Sequence, residues 1–249
     1  MNRSVSFQTA PLTKAVKWLI IINVAVWFLL QVLMEGFMHV PFTSIFALYP
    51  GKVLFDFQIW QLVSYMFLHS MSVTHILFNM LMLWFFGAEL EQRWGTRFFL
   101  IYYFSCGVGA AILYCLCVWG YALATGSQTG LIVPVIGASG AVFGLLLAQG
   151  IIFGERIVYF FMLFPMKTKY FVGLMGLVQL ASMMTSGVSG GEVAYLAHLG
   201  GIVSGFICLQ FKAWFTRQDF KKKAKNKGRN LRLVVDNEKK SDKPPKYWN

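Results

Sequence analysis

The sequence predicts an all-α polytopic membrane protein, a bundle of six transmembrane helices, and three observations carry that reading. The chain is 57% hydrophobic and only 13% charged, with a mean hydropathy of +0.60, whereas soluble domains carry about 25% charged residues. Its apolar runs approach the ~20 residues of a bilayer-spanning helix and lack the ~10-residue alternating pattern of barrel strands. Its basic residues collect on alternate connections between those runs, as the positive-inside rule requires.

The first run covers residues 17–34, the second 73–88, and the third, continuous and long, 98–120. The next stretch, "YALATGSQTGLIVPVI", holds Gly, Ser, Thr and Pro134 and cannot be continuous helix, so the fourth run starts near Ser139 and extends over 139–154. A fifth covers 171–185 and a sixth 193–211. Residues 157–164 are apolar but too short to cross, and they run into Pro165, Lys167 and Lys169, which predicts an interfacial connector. There is no long-period repeat and no second soluble domain. The expected organisation is an N-terminal stub (1–16), a six-helix core (17–212) and a basic tail (213–249).

Orientation follows from the 22 Lys and Arg. With both termini cytoplasmic, every one of them except Lys52 falls on the cytoplasmic face. The first run is long enough to anchor and no small-x-small cleavage site follows it, so it does not read as a removable signal peptide. Thirteen basic residues lie between Lys212 and Lys246. Such juxtamembrane clusters attract anionic lipid, and no nucleic-acid-binding motif accompanies this one. Cys106, Cys115, Cys117 and Cys208 fall in apolar runs and imply no disulfide framework.

Three polar positions then stand out. The fourth run, at 1.5 Å per residue, is roughly 24 Å long against a ~30 Å hydrocarbon core, which submerges Ser139 below the outer interface. His198 lies five residues into the sixth run and Asn79 six residues into the second, at depths of about 7–9 Å, with His75 one turn above Asn79. Small residues on the fourth run (Gly140, Gly144) and on the sixth (Ala197, Gly201, Gly205) let those two helices approach closely. A neutral imidazole beside a serine hydroxyl can take its proton and later return it to a leaving amine. His198 is the expected base. Asn79, His75 and the first amides of the fourth helix are expected donors to an oxyanion. No carboxylate lies inside a run to orient His198, so a dyad is expected and no metal or cofactor is required. H-E-x-x-H and paired intramembrane Asp, the signatures of other membrane proteases, are absent from the sequence.

In order and spacing, "HSMSVTHILFN" (69–79), "GAELEQRWG" (87–95), "GASGAVFG" (137–144) and "AHLGGIVSG" (197–205) resemble the motifs of the rhomboid intramembrane serine proteases. The resemblance covers about residues 15–212. It implies a six-helix core and hydrolysis of peptide bonds in or near the transmembrane segments of single-pass membrane proteins. Ser139 is then the nucleophile, His198 the base, and His75 with Asn79 the oxyanion donors. Gly137, Gly140, Gly201, Gly205, Glu91, Arg93 and Trp60 match structural positions of the family, and a bacterial inner membrane is the implied location. A catalytically inactive relative acting as a binding scaffold would lose the serine or the histidine; this chain keeps both. It departs from the family twice. Trp60-Gln61 stands where the family has Trp-Arg, and five residues instead of four separate His69 from His75.

Overall fold

The computed structural model describes residues 11–160, 164–186 and 192–228. The first ten residues of the stub and the basic tail beyond Gly228 lie outside the described residues. Two compact units are present, Met1–Gln210 and Phe211–Asn249.

The chain is mostly helical. The first long helix, α1 (Lys14–Phe37), is followed by three short ones, α2 (Phe42–Phe46), α3 (Pro50–Phe55) and α4 (Gln61–Ser64). Then come α5 (Val73–Trp94), α6 (Thr96–Thr125), α7 (Thr129–Ile132) and α8 (Ser139–Ile152). The strands β1 (Ile157–Phe160) and β2 (Phe164–Lys167) precede α9 (Thr168–Ser186) and α10 (Glu192–Gly228). The second compact unit takes up the end of α10, where the Thr216 hydroxyl donates to the Lys212 carbonyl at 2.9 Å.

Among the described residues four helices are long and apolar enough to cross a membrane: Lys14–Phe37, Val73–Trp94, Thr96–Thr125 and Tyr195–Ala224. Six were expected, and the two that fall short do so for different reasons. Helix α8 has only 14 residues, about 21 Å at 1.5 Å each. Helix α9, at 19 residues, has the length, but Lys169, Gln179 and Ser182 dilute its apolarity.

The expectation of an all-α chain needs one correction. In the segment 157–164, expected as a plain interfacial connector, Ile157–Phe160 form a strand that pairs antiparallel with Phe164–Lys167, Val158 opposite Met166; residues 161–163 lie outside the described residues. The run Ile157-Val158-Tyr159-Phe160 is β-branched and aromatic, which favours a strand once a partner is present. Thr168 closes the hairpin by donating its backbone N–H (2.8 Å) and its hydroxyl (3.0 Å) to the Arg156 carbonyl. At the surface of the hairpin Glu155 pairs with Lys167 at 2.8 Å and with Lys169; hydrogen bonds from Lys167 and then Lys169 hold the Glu155 carboxyl down at about 2, below the usual range.

Helix α6 is the centre of the first unit. Phe99, Tyr102, Tyr103, Cys106, Ala110, Ala111 and Tyr114 are all buried along it. Small residues let α8 and α10 come in close on either side. A methyl added at Gly140 would lie 3.0 Å from the Ala110 Cβ, and one added at Gly200 would lie 3.1 Å from Ala110 backbone atoms. One added at Gly201 would collide with the Gly140 carbonyl oxygen. Backbone thus meets backbone between α8 and α10, the close approach that small-xxx-small stripes permit in membranes. An unpaired polar group in hydrocarbon costs several kcal/mol, and two of the buried tyrosine hydroxyls meet carbonyls, whereas those of Tyr103 and Tyr114 are buried without a hydrogen-bond partner among the described residues. Tyr102 donates to the Gly144 carbonyl and Tyr65 to the Gly107 carbonyl, each at 2.8 Å.

Gly201→Ala is therefore expected to destabilise the protein by about 1–3 kcal/mol, the usual cost of overpacking. Gly120→Ala, at a helix position with open space around it, is expected to be neutral or stabilising by up to roughly 1 kcal/mol. Equilibrium unfolding of both variants in mixed micelles checks the contrast; equal stabilities would contradict the close crossing.

Candidate active site

Ser139 is the first residue of α8. Just before it the chain turns through Gly137, whose φ of +121° is a left-handed conformation that glycine adopts without strain. The Gly137 N–H is held by the Tyr65 carbonyl at 2.9 Å. Upstream, Leu48 and Val135 exchange backbone hydrogen bonds of 3.0 and 2.9 Å, which fastens the approach to α8 onto the segment between α2 and α3. The serine thus sits at a helix start fixed on its upstream side.

His198, on α10, meets it. The imidazole Nε2 lies 2.7 Å from Ser139 Oγ. Phe143, one turn along α8 from Ser139, stacks on the imidazole with ring centroids 4.4 Å apart and planes 20° from parallel. The other ring nitrogen, Nδ1, lies 2.7 Å from Gln179 Oε1 on α9. Neither Phe143 nor Gln179 was singled out from the sequence. A signal for Gln179 was there, a lone amide in the apolar fifth run; for Phe143 the only clue was its four-residue spacing from the serine.

The start of α5 contributes the other two expected residues. Ser139, His198, His75 and Asn79 line one cavity of about 300 Å³, completed by Thr74, Phe78, Met82, Val142 and Phe143. Asn79 is buried and gives one amide hydrogen to the His75 carbonyl, at 2.9 Å. That leaves its second N–H uncommitted among these contacts. His75 Nδ1 accepts from the Ser70 backbone N–H at 3.2 Å, and Ser70 Oγ lies 3.0 Å from the same nitrogen. An Nδ1 that accepts leaves the ring proton on Nε2. That proton points toward the gap at Gly137, where an added methyl would lie 3.1 Å from His75 Nε2 and 3.6 Å from Ser139 Oγ. A small space bounded by a serine hydroxyl and a ring N–H is where a developing oxyanion would be accommodated.

His69 is fully buried and its ring meets His75 edge-on at 5.3 Å. Gln31 brackets its backbone, with Gln31 Nε2 donating to the His69 carbonyl and the His69 N–H donating to Gln31 Oε1, both at 2.7 Å. The extra residue between the two histidines thus leaves their rings in contact.

The structural positions fall around this centre. Gly140, Gly201 and Gly205 lie on the α8–α10 crossing; a methyl at Gly205 would lie 3.2 Å from Gly144 Cα. Glu91 is buried at the far end of α5, where it accepts the Ala15 and Val16 N–H groups (3.0–3.1 Å) and the Thr96 hydroxyl (2.6 Å) and also binds Thr13. One carboxylate thereby caps α1, an anion at a helix N-terminus. Arg93, on the same turn, is exposed. Trp60 donates from Nε1 to the Ile45 carbonyl at 3.1 Å. Gln61, standing where an arginine was expected, is fully buried and does the tying itself. It donates to the Ile45 carbonyl at 3.1 Å and to Gln58 Oε1 at 2.9 Å, and it accepts the Tyr49 N–H at 2.9 Å.

Comparison with known proteins gives the family. A family model described as "Rhomboid domain" matches residues 56–214. The chain belongs to the rhomboid family. It is similar to RHOMBOID-like protein 1 of Arabidopsis thaliana, 33% identical over 65% of this chain and 36% of the relative. It is also similar to rhomboid protease GlpG of Yersinia pestis and of Yersinia pseudotuberculosis, 36% identical over 36% of this chain and 27% of each relative. The chain thus spans about a third of the length of the curated relatives it matches. Membership in the rhomboid family, with four spanning-length helices, makes this an integral multi-pass membrane protein.

Proposed function

We propose that this rhomboid is an intramembrane serine endopeptidase, with Ser139 as nucleophile and His198 as general base. The observation that carries the reading is the 2.7 Å contact between Ser139 Oγ and His198 Nε2 in a cavity whose described lining has no acidic or basic chain other than histidine. As Oγ attacks the scissile carbonyl carbon, its proton passes to Nε2 and the carbonyl electrons move onto oxygen. His75 Nε2–H, the free Asn79 N–H and the first amides of α8 stabilise that oxyanion. Collapse expels the amine, which takes the proton from Nε2, and a water deprotonated by the same nitrogen releases the acyl group. No cofactor takes part.

The substrates proposed are single-pass membrane proteins, cut in or near their transmembrane segments. Six crossings are proposed, with α8 and α9 added to the four long helices, in a core over 17–212 between the cytoplasmic stub and tail. The keeping of both serine and histidine supports an enzyme over an inactive binding scaffold. The relatives named as proteases, and the basic residues gathered at the N-terminal and tail ends, support a bacterial inner-membrane protein with both termini cytoplasmic.

Ser139→Ala and His198→Ala are each expected to abolish cleavage of a reporter transmembrane substrate with the fold retained, and the double variant to be no worse than either, since the two act as a unit. Asn79→Ala is expected to slow turnover by no more than about 10²–10³-fold, the effect of losing one oxyanion donor while others remain. Full activity in either single variant would contradict the reading.

The tail is proposed to bind anionic lipid, at about 1 kcal/mol per basic residue near the surface, and not nucleic acid. A chain ending near Arg217 is expected to cleave at the full-length rate in detergent yet to bind anionic vesicles less well. Loss of turnover with the fold intact would make the tail part of the catalytic machinery.

A further inference from the structure

Building on the protease reading, we propose that Gln179 is the positioning residue of the site: its amide oxygen, delivered from α9, holds His198 in the tautomer that can serve as base. To accept the Ser139 proton, Nε2 must present a lone pair, so the ring hydrogen must sit on Nδ1. Gln179 Oε1 lies 2.7 Å from Nδ1 and, as a carbonyl oxygen, can only accept. The opposite tautomer would set a bare nitrogen against that oxygen and an N–H against the serine hydroxyl, leaving the base without function. A membrane-embedded amide is costly unless partnered, and this one reaches inward from a helix whose neighbouring Leu177, Val178 and Leu180 are exposed.

Among the described residues no other group supplies this role. Around His198, α8 contributes Ser139 and Phe143, and α5 contributes His75 with His69 behind it. Among the described residues no carboxylate lines the cavity. Where soluble serine proteases place a buried Asp against the imidazole, this chain places a neutral amide, which orients the ring without introducing a charge into a low-dielectric site that has no cation to match it.

The test compares Gln179→Leu with Gln179→Glu, measuring kcat, KM, the pH profile of kcat/KM and the melting temperature of each in the same detergent. Gln179→Leu removes the acceptor at similar volume; kcat is expected to fall at least about 10–100-fold, the loss seen when the hydrogen-bond partner of a metal-bound histidine is removed, with KM and melting temperature near those of the parent. Gln179→Glu keeps an acceptor. It is expected to recover most of kcat at its pH plateau, while its acid limb moves to higher pH by about one unit, because a carboxylate beside the ring favours the imidazolium. A Gln179→Leu protein with parental kcat would overturn the proposal. So would equal losses in both variants with the parental pH profile, which is the outcome of a merely structural role. Should Gln179→Leu fail to fold, the near-isosteric Gln179→Glu decides alone through its pH profile. Retained cleavage by Ser139→Ala in the same assay would instead remove the protease reading, so the two failures are distinguishable.

Discussion

The contact between the backbones of Gly140 and Gly201 is the constraint on which the rest of the site depends. A hydrogen bond between Ser139 and His198 needs two helices to approach more closely than ordinary side chains allow. There is no space for even a methyl at Gly201, because the Gly140 carbonyl occupies it. Ser139 is one residue before Gly140, and His198 three residues before Gly201. The 2.7 Å separation of Oγ and Nε2 thus follows from a packing feature whose residues take no part in the chemistry.

Every element that reaches the site is fixed by a polar contact in an apolar setting, where such contacts have little competition from water. Tyr65 holds the Gly137 N–H through its backbone carbonyl and the Gly107 carbonyl through its hydroxyl, joining the turn before the nucleophile to α6. Ser70 orients His75, and Gln31 holds the segment that leads to it. Glu91 closes α1 onto the end of α5. These amides, hydroxyls and one carboxylate are few, but each joins segments distant in sequence, so together they set positions that hydrophobic burial alone leaves free to slide.

Much of this was legible in the sequence. Composition and run length point to a membrane bundle, and the short fourth run places Ser139 at depth with His198, His75 and Asn79, the residues that line one cavity. What escaped did so for physical reasons. The strands 157–160 and 164–167 are too short for their periodicity to separate a strand from any other apolar stretch. Gln179 is not legible as the partner of the base because a neutral amide carries no charge signal, unlike the carboxylate that usually orients a histidine. Gln61 looked like a loss because an arginine was expected there, yet its side chain reaches Ile45, Gln58 and Tyr49 at once. Sequence spacing locates residues along a helix; which of them meet across helices depends on where small residues allow contact.

The most direct measurement is mass spectrometry of the intact protein after reaction with a fluorophosphonate, which bonds only to a serine made nucleophilic by a neighbouring base. The account predicts one phosphonyl group per chain, mapped to Ser139, and none on the His198→Ala variant. An unlabelled parent protein, or a label that maps elsewhere or persists without His198, would contradict it.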